Sequence, residues 1–258
     1  MTNHPNRRSI LGSLALGAAA GGQLDMSAAQ ADEKSGAAAA ADQVPGTCVL
    51  FPQAVEGPYY FDPNLVRSDI TEGRPGLPLK LVLKIIDNAS CVPLADVRVD
   101  VWHCDAGGIY SGYSGQGDDR NTSTKGQNYL RGTQTTDAKG LAVFQSIYPG
   151  WYPGRTPHIH IKAFLDQTTV LTGQIYFPDD MSARVYKTQA SYAARPVADT
   201  TNDRDGLFTE GQREGGGIIL AMEETPEGVT GTLLIAVDRS GEAARRGQGM
   251  WRRIFGGW

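Results

Sequence analysis

The sequence predicts a mainly β fold: an antiparallel β-sandwich with long loops and few short helices. Stretches of alternating apolar and polar residues recur along the chain, the period of a half-buried strand. Clusters of Gly, Pro, Asn and Asp separate these stretches, and the 32 glycines and 14 prolines belong to turns and long connections. Helical periodicity is scarce. Several short strands at this spacing argue for a sandwich or barrel.

Residues 1–31 read as an export signal. Asn6-Arg7-Arg8-Ser9-Ile10-Leu11 resembles a twin-arginine motif, the small apolar run over 10–22 is too short and too rich in Ala and Gly to span a bilayer, and Ala29-Gln30-Ala31 fits a cleavage site. This predicts an exported protein, periplasmic or extracellular, with no stable membrane insertion once the signal is removed. Residues 32–45, Ala-rich and without hydrophobic alternation, are expected to be a disordered linker. The sandwich domain is expected over 46–240, roughly 200 residues, enough for one domain with its own core.

Within that domain 79–86 alternates with lysines on one side and 97–102 with a charged outer face, so both read as half-buried antiparallel strands. Further strands are expected at 141–144, 158–164, 170–177, 218–222 and 231–237. A short helix at 179–189 begins at Pro178-Asp179. The tail, 241–258, mixes Arg, Gly and Trp and is expected to be partly disordered.

The net charge of -4 and pI near 5.6 leave no basic footprint, which argues against a nucleic-acid partner. Three cysteines fit an oxidising compartment. Cys48 and Cys91 flank the first strand region and are able to pair, leaving Cys104 as a buried thiol; Cys91 with Cys104 is the other pairing the spacing allows.

The chemistry concentrates in Tyr152-Pro153-Gly154-Arg155-Thr156-Pro157-His158-Ile159-His160, which holds two of the four histidines. If 159–164 is a strand, His158 and His160 face the same side. Alone, a His-x-His pair is often a polar face turned to water. Here it opens an apolar strand after a Pro/Gly-rich loop, beside aromatic residues too large to leave in solvent without reason. A second tyrosine, Tyr110, lies upstream in Gly108-Ile109-Tyr110-Ser111. Phenol has a pKa near 10, so tyrosine becomes an anionic ligand at neutral pH only beside a strongly polarising cation. A set of two imidazoles and two phenolates suits hard, trivalent iron better than zinc, calcium or magnesium. Two phenolates and one hydroxide balance the three charges of Fe(III) without any carboxylate.

The segments Glu56-Gly57-Pro58-Tyr59-Tyr60, Val101-Trp102-His103-Cys104-Asp105, Gly108-Ile109-Tyr110-Ser111, Tyr148-Pro149-Gly150-Trp151-Tyr152, Gly154-Arg155-Thr156-Pro157-His158-Ile159-His160 and Thr172-Gly173-Gln174-Ile175 resemble the intradiol ring-cleavage dioxygenases over about 48–238. The resemblance implies a β-sandwich with iron held at its edge by loops. It implies Tyr110, Tyr152, His158 and His160 as ligands of Fe(III), with Tyr152 leaving the metal when substrate binds. Tyr152 is preferred to Tyr148, and Tyr110 to Tyr113, by their places in the motifs. Arg155 takes the position of an arginine that stabilises charge on the substrate, and Gln174 that of a supporting glutamine. The implied reaction opens a catechol-type diol with O2, between the hydroxyl-bearing carbons, to a cis,cis-muconate-type diacid.

His103 is expected to be structural, and Trp151, Ile109 and Tyr59 are candidates to line the pocket. The chain has no long helical N-terminal segment of the kind some members use to dimerise, so a homo-oligomer would use another surface. Two other classes compete: a zinc hydrolase using His158 and His160, which lacks a third ligand at suitable spacing, and a non-catalytic or zinc-binding β-sandwich module.

Overall fold

The structure, a computed structural model, describes residues 48–62 and 64–255, with the helical backbone alone for 252–255. The Arg7-Arg8 signal and the 32–45 linker lie outside the described residues. Eight strands form two four-stranded sheets. The first runs in the order β4 (Leu141–Ile147), β1 (Pro78–Asp87), β8 (Gly228–Val237), β7 (Ala221–Thr225). The second runs β3 (Arg131–Thr135), β2 (Arg98–Trp102), β5 (His158–Leu165), β6 (Thr168–Tyr176). All neighbours are antiparallel except β1 and β8, which pair in parallel with Leu83 opposite Leu233.

Alternation decides which face each strand buries. Leu79, Leu81, Leu83 and Ile85 of β1 meet Val99 and Val101 of β2 and Ile159, Ile161 and Ala163 of β5 in one core between the sheets. The residues between them on β2, β5 and β6 must then face outward. In register, Trp102, His160 and Gln174 form one row across that outer face, and His158 pairs with Tyr176 in the next. This outer face is nevertheless buried. The segment 48–62, the long loop after β2 and helix α2 (Gly206–Arg213) cover it, so a polar row ends up in a dry place.

The Cys48–Cys91 disulfide anchors the covering segment to the turn after β1, with Cα atoms 5.7 Å apart, and Cys104 is a free, buried thiol. Helix α1 (Asp179–Thr188) follows Pro178, which makes no side-chain cap; the Asp179 carboxylate instead accepts from the Asn202 backbone N–H at 3.1 Å.

Several features differ from the sequence expectation: strand β3 was not expected, and β1 pairs in parallel with β8 on one side. Strand β7 lies three residues later than 218–222, because Ile218 and Leu220 are core residues of the connection before it. Helix α2 was not foreseen. The tail expected to be partly disordered folds from Glu242 as α3 (Glu242–Phe255), with the Asp238 carboxylate accepting from the Ala243 N–H at 3.0 Å and Trp251 Nε1 donating to the Gln53 carbonyl at 3.4 Å. No helix among the described residues is long and apolar enough to cross a membrane.

Candidate functional site

His158 and His160 project from β5 onto the buried outer face, and their Nε2 atoms lie 3.2 Å apart. His158 Nδ1 sits 2.7 Å from the Thr156 carbonyl. A carbonyl only accepts, so Nδ1 carries the proton and Nε2 offers a lone pair. Burial first, and the charge of Arg155 second, hold both imidazoles far below the usual histidine pKa. Both rings therefore favour the neutral form. The His160 ring stacks on Trp102 with centroids 4.8 Å apart, and its buried Nδ1 has no hydrogen-bond partner.

The two tyrosines come from different loops that touch through their backbones. Gly150 N–H donates to the Asp105 carbonyl at 3.1 Å. A Cβ on Gly108 would stand 2.2 Å from the Trp151 carbonyl oxygen, and Gly108 has φ +82, so only glycine serves there. The Gly-x-Tyr and Pro-Gly-Trp-Tyr patterns are therefore two halves of one contact, which sets Tyr110 against Tyr152 with ring centroids 5.7 Å apart. Tyr152 Oη donates to His158 Nε2 at 3.1 Å. Tyr110 is fully enclosed beneath Tyr59, which stacks on it at 4.4 Å, and its hydroxyl forms no hydrogen bond. Burial, with Tyr152 adding to it, keeps the Tyr110 phenol well above its ordinary pKa; burial pushes Tyr152 up to about 12 even though Arg155 pulls it down.

Arg155 is bound on three sides. Its Nε donates to Asp205 Oδ2 at 2.7 Å, Nη2 to Gln174 Oε1 at 2.5 Å and Nη1 to Tyr152 Oη at 3.4 Å. Burial alone would lower its pKa, but Tyr152 and Asp205 raise it, so the guanidinium is a permanent cation against the site. Gln174 also donates to the Val55 carbonyl at 3.3 Å and accepts from Tyr176 Oη at 3.1 Å, which fixes its amide.

All six predicted site residues, Tyr110, Tyr152, Arg155, His158, His160 and Gln174, thus come together. The alternative tyrosines are engaged elsewhere: Tyr148 Oη bonds Ser182 Oγ at 2.7 Å in the core, and Tyr113 Oη donates to the Tyr60 carbonyl at 3.0 Å. His103 is a packing residue, lowered to about 4 by burial, with Nδ1 donating to the Cys104 carbonyl and Nε2 accepting from Ser146 Oγ.

A cavity of about 590 Å³ opens beside His160, Tyr152, Arg155 and Gln174. Tyr59 borders it, as expected, but Trp151 and Ile109 do not: Trp151 packs under the Arg195 guanidinium, 4.0 Å from its ring centre. Two residues went unnoticed in the sequence. Asp205 is 1% exposed and caps α2 with Oδ1 while Oδ2 holds Arg155; an Asp ahead of a short amphipathic run was the available signal. Arg131, pulled down to about 10 by burial, donates to the carbonyls of Tyr59 and Ser111 at 2.5 and 2.9 Å and so clamps the two sides of Tyr110.

The donor set fits a metal ion. Two neutral imidazoles with lone pairs facing one point, and a buried phenol without a partner, form an arrangement that is costly without a cation. Among the described residues no group of three or more His, Cys, Asp and Glu side chains gathers to hold a metal; the oxygens beside the two histidines are those of Tyr152 and Tyr110. Phenol oxygens suit a cation able to ionise them, a description that Fe(III) fits.

A family model described as dioxygenase matches residues 55–206. An intradiol ring-cleavage dioxygenase from Tetranychus urticae is 31% identical, with a TM-score of 0.66, over 74% of this chain and 96% of its own. The chain belongs to the intradiol ring-cleavage dioxygenase family. The dioxygenase domain of a carbohydrate-binding fusion protein from Streptomyces sp. SirexAA-E is 29% identical at TM-score 0.55, covering 73% of this chain and 98% of that one. A hydroxyquinol 1,2-dioxygenase from Pseudomonas putida DLL-E4, 16% identical at TM-score 0.52, covers 75% of this chain and 67% of its own and shares the fold. Comparison with curated protein sequences finds no significant match. The family is one of oxidoreductases that cleave aromatic rings with O2, and the sandwich is its fold.

Proposed function

We propose that this dioxygenase holds Fe(III) through Tyr110, Tyr152, His158 and His160 and opens catechol-type diols between the two hydroxyl-bearing carbons to cis,cis-muconate-type diacids. The observation that carries this reading is the convergence of two phenols and two neutral imidazoles beside a cavity that Arg155 borders. Bound Fe(III) would supply the positive charge that keeps both phenols ionised and favours a doubly deprotonated diol.

The chain's own groups then have distinct tasks. Tyr152 Oη, as phenolate, accepts a proton from a diol hydroxyl, and the Arg155 guanidinium at 3.4 Å favours the phenolate form of that oxygen. The Arg155 cation also lies where negative charge on the opened ring must be stabilised, and burial strengthens it by excluding water. Asp205 and Gln174 hold the guanidinium in place without reaching the ligands themselves. Tyr59 offers a flat wall to an aromatic ring. The test is oxygen uptake with catechol in ¹⁸O2: the reading expects a diacid carrying both labelled atoms, and a zinc hydrolase or binding module would consume no oxygen.

We also propose that the protein works outside the cytoplasm. The Arg7-Arg8 leader supports this, and so does the Cys48–Cys91 disulfide, a bond at home in oxidising compartments. Lysine at both Arg7 and Arg8 is expected to retain the protein in the cytoplasm; undiminished export would reject the route.

A further inference from the structure

The cavity beside the site is larger than an unsubstituted diol ring needs; at about 590 Å³ it falls in the range that encloses drug-sized ligands. Beyond the catalytic groups its wall includes Val55, Pro58, Leu207 and Trp251. Leu207 and Glu210 stand three residues apart on α2 and share a face. Trp251 belongs to α3, the tail helix, and is 7% exposed. The C-terminal helix therefore contributes directly to the substrate cavity.

The charges along this wall are as informative as its apolar surface. Among the described side chains lining the cavity, Arg155 is the only permanent cation, and three of its five N–H donors are held by Asp205, Gln174 and Tyr152. Glu210 faces the cavity and pairs with Arg213 at 2.7 Å on the solvent side. A carboxylate on a substituent seated against Leu207 and Trp251 would lose its water to an apolar wall and would meet the Glu210 carboxylate.

We infer that this enzyme prefers catechols bearing an uncharged apolar substituent, seated against Leu207 and Trp251, and discriminates against carboxylate-bearing diols through Glu210. The inference rests on the diol-cleaving function proposed above. It makes Leu207, Glu210 and Trp251 specificity residues and assigns α3 a place in substrate selection.

The test is kcat/KM from oxygen uptake for catechol, 4-butylcatechol, 3,4-dihydroxybenzoate and the amine 3,4-dihydroxyphenethylamine. Burial of two or more methylene groups predicts a preference of about tenfold or more for 4-butylcatechol over catechol. The benzoate is expected at least about tenfold below catechol, and the amine, whose ammonium Glu210 attracts but whose burial is costly, below 4-butylcatechol. Trp251→Ala and Leu207→Ser should each collapse the butyl-to-catechol ratio toward one; if the first loosens α3, the second still decides. Glu210→Arg should raise the benzoate relative to catechol by about tenfold. Equal rates for butyl and parent catechol, an unchanged ratio in Leu207→Ser, or a preference for the amine over 4-butylcatechol would overturn the inference while leaving the diol-cleaving function standing. Oxygen uptake with none of the four would reject both.

Discussion

Tyr110→Phe separates a ligand from a packing residue, because the two roles predict opposite signs. The Tyr110 ring stacks on Tyr59 at 4.4 Å, and phenylalanine keeps that contact. Its hydroxyl is buried and makes no hydrogen bond. A buried polar group left unpaired costs about 1–3 kcal/mol, so removing the oxygen alone should stabilise the metal-free protein by about 1 kcal/mol. For a domain of this size that corresponds to a rise in Tm of about 2–4 °C. The same substitution deletes one of two oxygens able to carry negative charge toward an iron ion. Native protein should therefore gain Tm on iron loading, as any ligand that binds only the folded state requires, and the variant should gain little. Calorimetry of both proteins, stripped with chelator and then reloaded with ferric iron, reads both effects. A variant that gains as much from iron as the native chain, or whose metal-free form is clearly less stable, would refute the assignment.

Asp205→Asn should leave a cation with weakened pairing in a buried place, costing about 3 kcal/mol of stability and lowering kcat more than it changes KM, because Arg155 is held in place by that carboxylate; unchanged turnover would contradict its positioning role. Gly108→Ala forces a Cβ to 2.2 Å from the Trp151 carbonyl and strains a φ of +82, so it should destabilise by about 2 kcal/mol or more and lower iron occupancy by parting the two tyrosine loops; full iron content in the purified variant would count against the welded-loop geometry. For pH, burial works to raise the Asp238 pKa, but hydrogen bonds from Ala243 and Ser240 at the start of α3 leave it lowered. A lowered folded pKa contributes stability that is complete above the unfolded value, near 3.9, and is lost as pH falls through the folded one. The Tm advantage of the native chain over Asp238→Asn should thus be constant from about pH 8 to 5 and shrink below about pH 4; an advantage that grows with acid would reverse the sign.

Much of the fold was legible because it rests on local pattern. Strands β1, β2 and β5 alternate cleanly, since one face must enter the core. Strand β3, Arg-Gly-Thr-Gln-Thr, has no such pattern; its pairing with β2 makes it a strand. The parallel pairing of β1 with β8 joins segments far apart in the chain, which periodicity does not report. Helices α2 and α3 were hidden by their glycines. Gly211 avoids a clash with Ile218 Cδ1, 2.9 Å from where its Cβ would sit, and Gly247 lets α3 approach Gln53, whose Cβ would lie 2.5 Å away. Residues that look like helix breakers are there for close packing.

The site divides along the same line. That His158 and His160 face the same side was readable from strand alternation, and that Tyr110 and Tyr152 meet them from the family motifs. Asp205 and Trp251 were not, because each acts on the site from a helix remote in sequence. Arg131 was missed for a related reason: a lone arginine in a polar strand gives no hint that it is 1% exposed and bridges the segments on either side of Tyr110.

The most direct measurement is the visible absorption spectrum of the purified protein together with its metal content. Tyrosinate bound to ferric iron absorbs in the visible by charge transfer, so the purified protein should be red-brown with about one iron per chain, its colour lost on chelation and greatly weakened in Tyr110→Phe. A colourless protein carrying stoichiometric zinc, or one that binds iron without a visible band, would contradict the ligation of iron by tyrosine.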